Sequence, residues 1–418
     1  MKKLLLMGSN FGTKEIIKEA RRRGYYTIVT DNRDAAHSNA KKECDECWAY
    51  STSETEALAK KCREENVDGA ACGVSEFNSD MTFALCDAAG LAKYCTDESW
   101  GFARNKRKFK DICGCHGVLV AKDYDLSGLD HGEEPQEVDL PVVVKPIDSA
   151  ANVGVSFCYE QGDLKPAYEL AKKVTKHPET IICEQMLRGA EYASCYALAD
   201  GRASLLNVFA MHNEEGYPAN IYTLDITTTG MLDKYLSEID GGMKEVFLDA
   251  GFRDGIVWVE FMHNESDDLL YVLECGYRMP ASMIPYTYKD IMGFDAVGWY
   301  LDGFMGIRHN PSELPPSQTK EYGRYGVSYL LWNDSGGTIK SIEGLEEIAS
   351  DDRVDIVDCL REPGSILSPK TIMAEVLFTA DTREDVIDII KSVNDKVKVI
   401  TEDGKDVLIR FTSFDKIR

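Results

Sequence analysis

No apolar run in these 418 residues approaches the roughly 20 residues that a bilayer-spanning helix needs. Cations are scarce as well. Lysine and arginine total 47 against 71 aspartates and glutamates, for a formal charge of −24. Such a field repels polyanions, which makes nucleic acid and anionic membrane poor partners. A small anion still binds where local donors prevail. The opening Met1-Lys2-Lys3-Leu4-Leu5-Leu6-Met7-Gly8 has an apolar run of only four residues. A secretory signal needs roughly seven or more, so the run is expected to be a buried first strand. The 13 cysteines are odd in number and scattered, as at Cys72, Cys158, Cys183 and Cys275. Reduced thiols and a cytoplasmic location are therefore expected. Cys44-x-x-Cys47 has no second pair at zinc spacing, the nearest candidates being Cys113, Cys115 and His116. Gly8-Ser9-Asn10-Phe11-Gly12 is not the G-x-G-x-x-G of a dinucleotide site, so Asp31 is not read as a ribose acid. Internal repeats and low-complexity segments are absent from the sequence.

What is present is the composition of a globular protein, 44% apolar and 28% charged. The length suggests roughly two to four domains. The first hundred residues alternate strand and helix patterns: strands at Lys3–Met7, Tyr26–Thr30 and Gly69–Cys72, helices at Thr13–Arg23, Thr55–Glu65 and Phe77–Ala89. That alternation implies a parallel, doubly wound sheet. After an acidic, irregular stretch from Val118 to Pro141 comes the strand Val142-Val143-Val144-Lys145. The pattern then becomes α+β. A hairpin is expected at Asp200-Gly201, a second joins Ile256–Met262 to Leu270–Glu274, and Met231 to Ala250 between them reads as helical. His309 to Ser317 is proline-rich and reads as a linker. Strands at Tyr325–Trp332, Met373–Thr379 and Val407–Phe411 and a helix at Glu384–Val393 are expected beyond it.

A nucleotide site needs cations for phosphate, backbone donors in a loop, an apolar slot for the base and carboxylates for magnesium. The basic segment Arg104 to Lys110 stands out in so acidic a chain, although a solvated helix face has the same composition. Lys145 ends an apolar strand, so its ammonium emerges where sheet meets loop. Asp148 to Val155 is a run of small residues between strands, suited to folding over phosphates or to an ordinary turn. Ile181 to Leu187 is an apolar strand entering a polar hinge, with Glu191 just beyond. Glu260 and Glu274 lie in strands joined by a short turn, so antiparallel pairing brings them together. Two buried carboxylates repel unless a cation or proton lies between them. Magnesium resolves that, and neutralisation by Arg278 is the structural alternative.

In order and spacing this series resembles the ATP-grasp superfamily, especially its carbamoyl phosphate synthase-like and L-amino-acid ligase-like carboxylate–amine ligases. The resemblance covers essentially the whole chain. It implies an α/β and α+β multidomain protein: a doubly wound, Rossmann-like pre-ATP-grasp domain over residues 1–117, an ATP-grasp domain over 118–308 and a small α+β domain over 320–418. By resemblance Lys106 and Lys145 are phosphate ligands, and Ser149, Asn152 and Gly154 belong to the phosphate loop. Glu184, Gln185 and Leu187 form the adenine hinge, and Glu191 accepts the ribose hydroxyls. Glu260 and Glu274 hold Mg2+, and Arg278 steadies the transferred phosphoryl group. His212, Tyr222 and Asp225 fall where the superfamily shapes its acceptor site. Two positions depart from the pattern: Gly276 stands where an asparagine usually adds a metal ligand, and the phosphate loop has one glycine.

The function implied is an ATP-dependent ligase that phosphorylates a small carboxylate and passes the acyl group to an amine. Bicarbonate is an alternative acceptor, and a non-catalytic ATP-binding regulatory protein is the alternative that Gly276 motivates. The cofactors expected are ATP and Mg2+. Neither nucleic acid nor membrane is an expected partner, and a homodimer is compatible with the sequence.

Overall fold

The computed structural model describes residues 1–135, 137–146, 154–175, 181–217 and 221–418. Near the N-terminus a parallel sheet runs in the order Glu46–Trp48, Tyr26–Thr30, Lys3–Met7, Gly69–Ala71. Its central strand is apolar throughout because both faces are covered. Leu4 and Leu6 enter one core with Ile16 and Ile17, while Leu5 and Met7 enter another with Leu58 and Leu85. Helices span Thr13–Arg22, Thr55–Glu65 and Glu76–Ala89, as the periodicity predicts to within a residue.

A small antiparallel sheet follows, in the order Asp123–Tyr124, Ile181–Gln185, Val142–Pro146, Ser156–Cys158. One face packs on the helix Leu164–Val174 through Val142, Val144, Cys183, Leu164 and Ala171.

The largest element is an eight-stranded sheet ordered Leu269–Gly276, Gly255–Asn264, Gly189–Ala199, Arg202–Asn213, Tyr222–Ile226, Tyr325–Trp332, Ile372–Ala380, Val354–Cys359. The Asp200-Gly201 hairpin is present, with φ of 44° and 78°, the left-handed pair that a tight two-residue turn requires. The expected helix over 231–250 forms as Leu232–Tyr235 and Gly241–Asp249, joined by a π-turn at Leu236–Asp240.

Two readings are corrected. The proline-rich stretch after His309 is docked rather than free. Ser204 donates to Pro315 O (2.6 Å) and Gln318 N to Leu205 O (2.7 Å), which serves an edge of the strand Arg202–Asn213 that the short strand Tyr222–Ile226 leaves bare. Val407–Phe411 is not a strand. It makes isolated bonds, Val407 N to Val399 O (3.0 Å) and Ile409 N to Trp332 O (2.8 Å), because it crosses between two sheets instead of extending either.

The strand Val354–Cys359 also meets the N-terminal sheet's first loop. Gly12 N–H donates to Asp358 at 3.2 Å. Gly12 has φ +77°, and a Cβ there would lie 2.1 Å from the Tyr286 hydroxyl, so only glycine fits. Among the described residues no helix is long and apolar enough to cross a membrane.

Candidate active site

Glu260 and Glu274 are directly opposed across the ladder of the strands Gly255–Asn264 and Leu269–Gly276, with a bulge just after Glu260. Pairing with the next strand puts Met262 opposite Glu191, so Glu191 shares that face. The Tyr222 hydroxyl donates to Glu191 and lies 3.3 Å from Glu260 Oε1. Burial pushes Glu260 well above the usual carboxylate range, and the charges of Glu274 and Glu191 add to the effect. Burial likewise pushes Glu191 up to about 7. A hard divalent cation relieves this crowding of acids. Among the described residues no group of three or more His, Cys, Asp or Glu side chains is placed to hold a metal by itself. The opposed pair Glu260 and Glu274 suits Mg2+, which binds through one or two carboxylates and keeps water and phosphate for the rest of its shell.

Lys106 reaches this pair from outside the sheet. The helix Lys106–Cys115 starts at Asn105, whose side chain caps Lys108 N at 3.0 Å. Its exit is pinned to the carboxylate strand by Val272 N to Leu119 O (2.8 Å). Lys106 Nζ consequently lies 2.9 Å from Glu274 Oε2. Burial works against its charge, but Glu274, Glu184 and Glu260 together hold its pKa above the usual lysine value. Arg278 does not make that contact. Its guanidinium lies over the Trp258 ring, 5.4 Å from the centroid, and donates to Met279 O at 2.7 Å.

A second charged knot lies on the small sheet. The Glu184 carboxylate bonds both Lys145, from the neighbouring strand, and Lys110. Lys110 also bonds Asp123 at 2.6 Å. Burial alone would raise Glu184, but the two ammoniums hold it below the usual range. Lys110 was not singled out from sequence. The signal was there, since it follows Lys106 by four residues and so shares its helix face.

At the hinge, Gln185 N bonds Lys122 O (2.8 Å) and Met186 N bonds Pro141 O (3.1 Å). A cavity of about 530 Å³ opens beside it, lined by Tyr124, Gln185, Met186, Arg188 and Asn264 but not by Lys106, Lys110, Lys145, Glu260 or Glu274. Leu187 is half-buried at the hinge's end. Ser149 and Asn152 lie outside the described residues. Gly154 has φ +76°, and a Cβ there would lie 2.3 Å from Val174.

Asp225 is buried on the carboxylate face, opposite Met211, which itself pairs with Glu191. His212 alternates to the other face, with its ring 6.2 Å from that of Phe411. Burial and the nearby Lys416 and Arg418 charges push its pKa down to about 4. The fold thus gathers Lys106, Glu191, Tyr222, Glu260 and Glu274 in one place and Lys145 with Glu184 in another, while His212 faces away.

Residues 138–283 match the family model described as ATP-grasp domain. Among curated proteins the chain is similar to a formate-dependent phosphoribosylglycinamide formyltransferase of Bacteroides fragilis, 28% identical over 40% of this chain and 43% of the relative. It is also similar to a D-alanine–D-alanine ligase of Dechloromonas aromatica, 30% identical over 38% of this chain and 50% of the ligase. The chain thus spans about half the length, or less, of these two curated relatives. Among solved structures it superposes on an L-amino acid ligase from Bacillus licheniformis with a TM-score of 0.75 at 19% identity, covering 96% of this chain and 99% of that one. A biotin carboxylase from Campylobacter jejuni gives 0.77 at 13% identity, covering 96% and 92%. At those identities the likeness shows the fold, and it extends over nearly the whole chain.

Proposed function

With residues 138–283 an ATP-grasp domain, we propose that the chain is an ATP-dependent carboxylate–amine ligase working through an acyl-phosphate. The observation that carries the reading is the opposed pair Glu260 and Glu274 with the Lys106 ammonium on it. An acid pair facing a lysine is suited to a metal–triphosphate, because it offers charge of both signs at one point. Glu260 and Glu274 would hold Mg2+, which when bound supplies charge neutralisation for the phosphates. Lys106 and Lys145 exchange their carboxylate partners for phosphate oxygens. Ser149, Asn152 and Gly154 cover the phosphates, Glu184, Gln185 and Leu187 face the base, and Glu191 takes the ribose. Arg278 steadies the phosphoryl group as a substrate carboxylate attacks it. An amine then displaces phosphate from the acyl carbon and loses a proton. Tyr222 and Asp225, on the same face, border the acceptor, and His212, on the other face of the sheet, has no part in it. In this reading the chain divides into a pre-ATP-grasp unit over 1–117, an ATP-grasp unit over 118–308 that carries both the nucleotide and the acceptor residues, and a small α+β unit over 320–418. The reading places the enzyme in the cytoplasm and is compatible with a homodimer.

The test is ADP release with Mg2+ and ATP against a panel of carboxylates, each with and without amino acids as acceptors. ADP formed only with a particular acid and amine establishes the ligase. Stimulation by bicarbonate alone moves the reading to carboxyphosphate formation. Nucleotide binding with no turnover across the panel favours the regulatory reading that Gly276 motivates.

A further inference from the structure

Trp258 precedes Glu260 by two residues, so the two side chains share a face, about 7 Å apart along the strand. Trp258 is directly opposite Gly276. A Cβ on Gly276 would lie 2.2 Å from both Nε1 and Cε2 of the indole and 2.5 Å from Cζ2. Gly276 is not in the left-handed region, so glycine is needed there for room, not for backbone freedom. The indole therefore fills the volume in which a side chain at 276 would stand. The half-buried ring has its Nε1 buried, with no hydrogen-bond partner among the described residues. An unmade N–H in such a position is costly and calls for an acceptor. The same ring carries the Arg278 guanidinium on its face.

Resting on the ATP reading above, we infer that Trp258 is a nucleotide-contacting residue whose Nε1–H donates to an oxygen of the terminal phosphate, beside Arg278. Indole nitrogen is a donor only and cannot ligate a cation. A donor set next to a metal-facing acid pair serves the anion that the metal holds. The ring also supports the Arg278 guanidinium above its face. The place that offers a metal ligand in the resembling proteins is thereby turned into a phosphate contact, with Glu260 and Glu274 left as the protein's share of the metal shell.

Trp258→Phe keeps an aromatic ring on Gly276 and under Arg278 and removes only the donor. Calorimetric titration with the magnesium complex of AMPPNP should show affinity about tenfold weaker than wild type, the size expected for one charge-assisted hydrogen bond. Titration with the magnesium complex of ADP should be unchanged. Equal losses for both nucleotides, or none for either, overturn the assignment. If Trp258→Phe does not fold, the pair Trp258→Val with Gly276→Asn refills the vacated volume. That variant should lose the same preference for AMPPNP over ADP while binding Mn2+ alone more tightly by electron paramagnetic resonance. A retained preference overturns the inference. A wild-type protein that binds neither nucleotide removes the ATP reading itself, whereas normal binding by wild type and Trp258→Phe alike removes only this assignment.

Discussion

Lys106 opens a helix that precedes the nucleotide-binding segment, yet its ammonium lies 2.9 Å from Glu274 on the edge strand of the largest sheet. One contact thus ties the N-terminal part of the chain to the carboxylate pair. Replacing Lys106 with methionine keeps much of the stem's packing and removes the charge. Affinity for the magnesium complex of ATP should fall about tenfold by calorimetry, with a smaller salt dependence than wild type. Unchanged affinity and salt dependence would remove Lys106 from the site.

Glu184 is the only carboxylate shared by Lys110 and Lys145 among the described residues, and its side chain is 12% exposed against 9% for Lys110. Glu184→Gln removes the charge that Lys110 and Lys145 share, leaving Lys110 with Asp123 and the Ala121 carbonyl. The loss should be about 3 kcal/mol in urea denaturation, the usual cost of stranding one member of a buried pair. Because the folded carboxyl lies below its unfolded value of 4.5, its contribution is present above about pH 4.5 and drains away as pH falls below that. Wild type should therefore lose more stability than the variant between pH 5 and pH 3.

Glu375 has the opposite sign. It accepts from Met283 N at 2.6 Å and from Ser328, while its other oxygen is buried and unpaired. Asp358 is directly opposite, with Lys14 3.6 Å from it, and Asp225 lies across the sheet. Burial pushes Glu375 up to about 8, from an ordinary 4.5. The folded state thus holds a proton that the unfolded chain releases. Stability is complete below about pH 4.5 and declines as pH rises towards 8. Thermal unfolding of Glu375→Gln between pH 5 and 8.5 should show a shallower decline than wild type. Parallel curves would mean that Glu375 ionises normally.

Arg278→Ala should reduce turnover by at least a hundredfold while changing ATP affinity less than about threefold, since a group acting on the transferring phosphoryl stabilises the transition state more than the ground state. Steady-state kinetics beside nucleotide titration separates the two. Turnover near wild type would end the proposed role.

The fold was legible where patterns are local. Short, largely apolar runs placed Lys3–Met7 and Tyr26–Thr30, and the Asp200-Gly201 turn announced its hairpin. The pairing of Glu260 with Glu274 followed from two strands and a short turn. What escaped was set by distant partners. Val407–Phe411 has the composition of a strand, but it bonds Val399 on one sheet and Trp332 on another and continues along neither. The docking of Pro315 and Gln318 depends on a strand edge more than a hundred residues away. Gly276 read as a missing ligand because Trp258, eighteen positions earlier, is adjacent only after the strands pair.

The sheet that carries the acids does not end where the matched segment ends. Tyr222–Ile226 finds its second neighbour in Tyr325–Trp332, which in turn is held by Ile372–Ala380. Cutting the polypeptide after residue 308 would strip that neighbour away, uncover a long apolar margin and leave a raw backbone edge open to other chains. The segment that bears Glu260 and Glu274 is therefore not an excisable cassette. Its solubility is borrowed from the tail, and homologous grafts should exchange the two together.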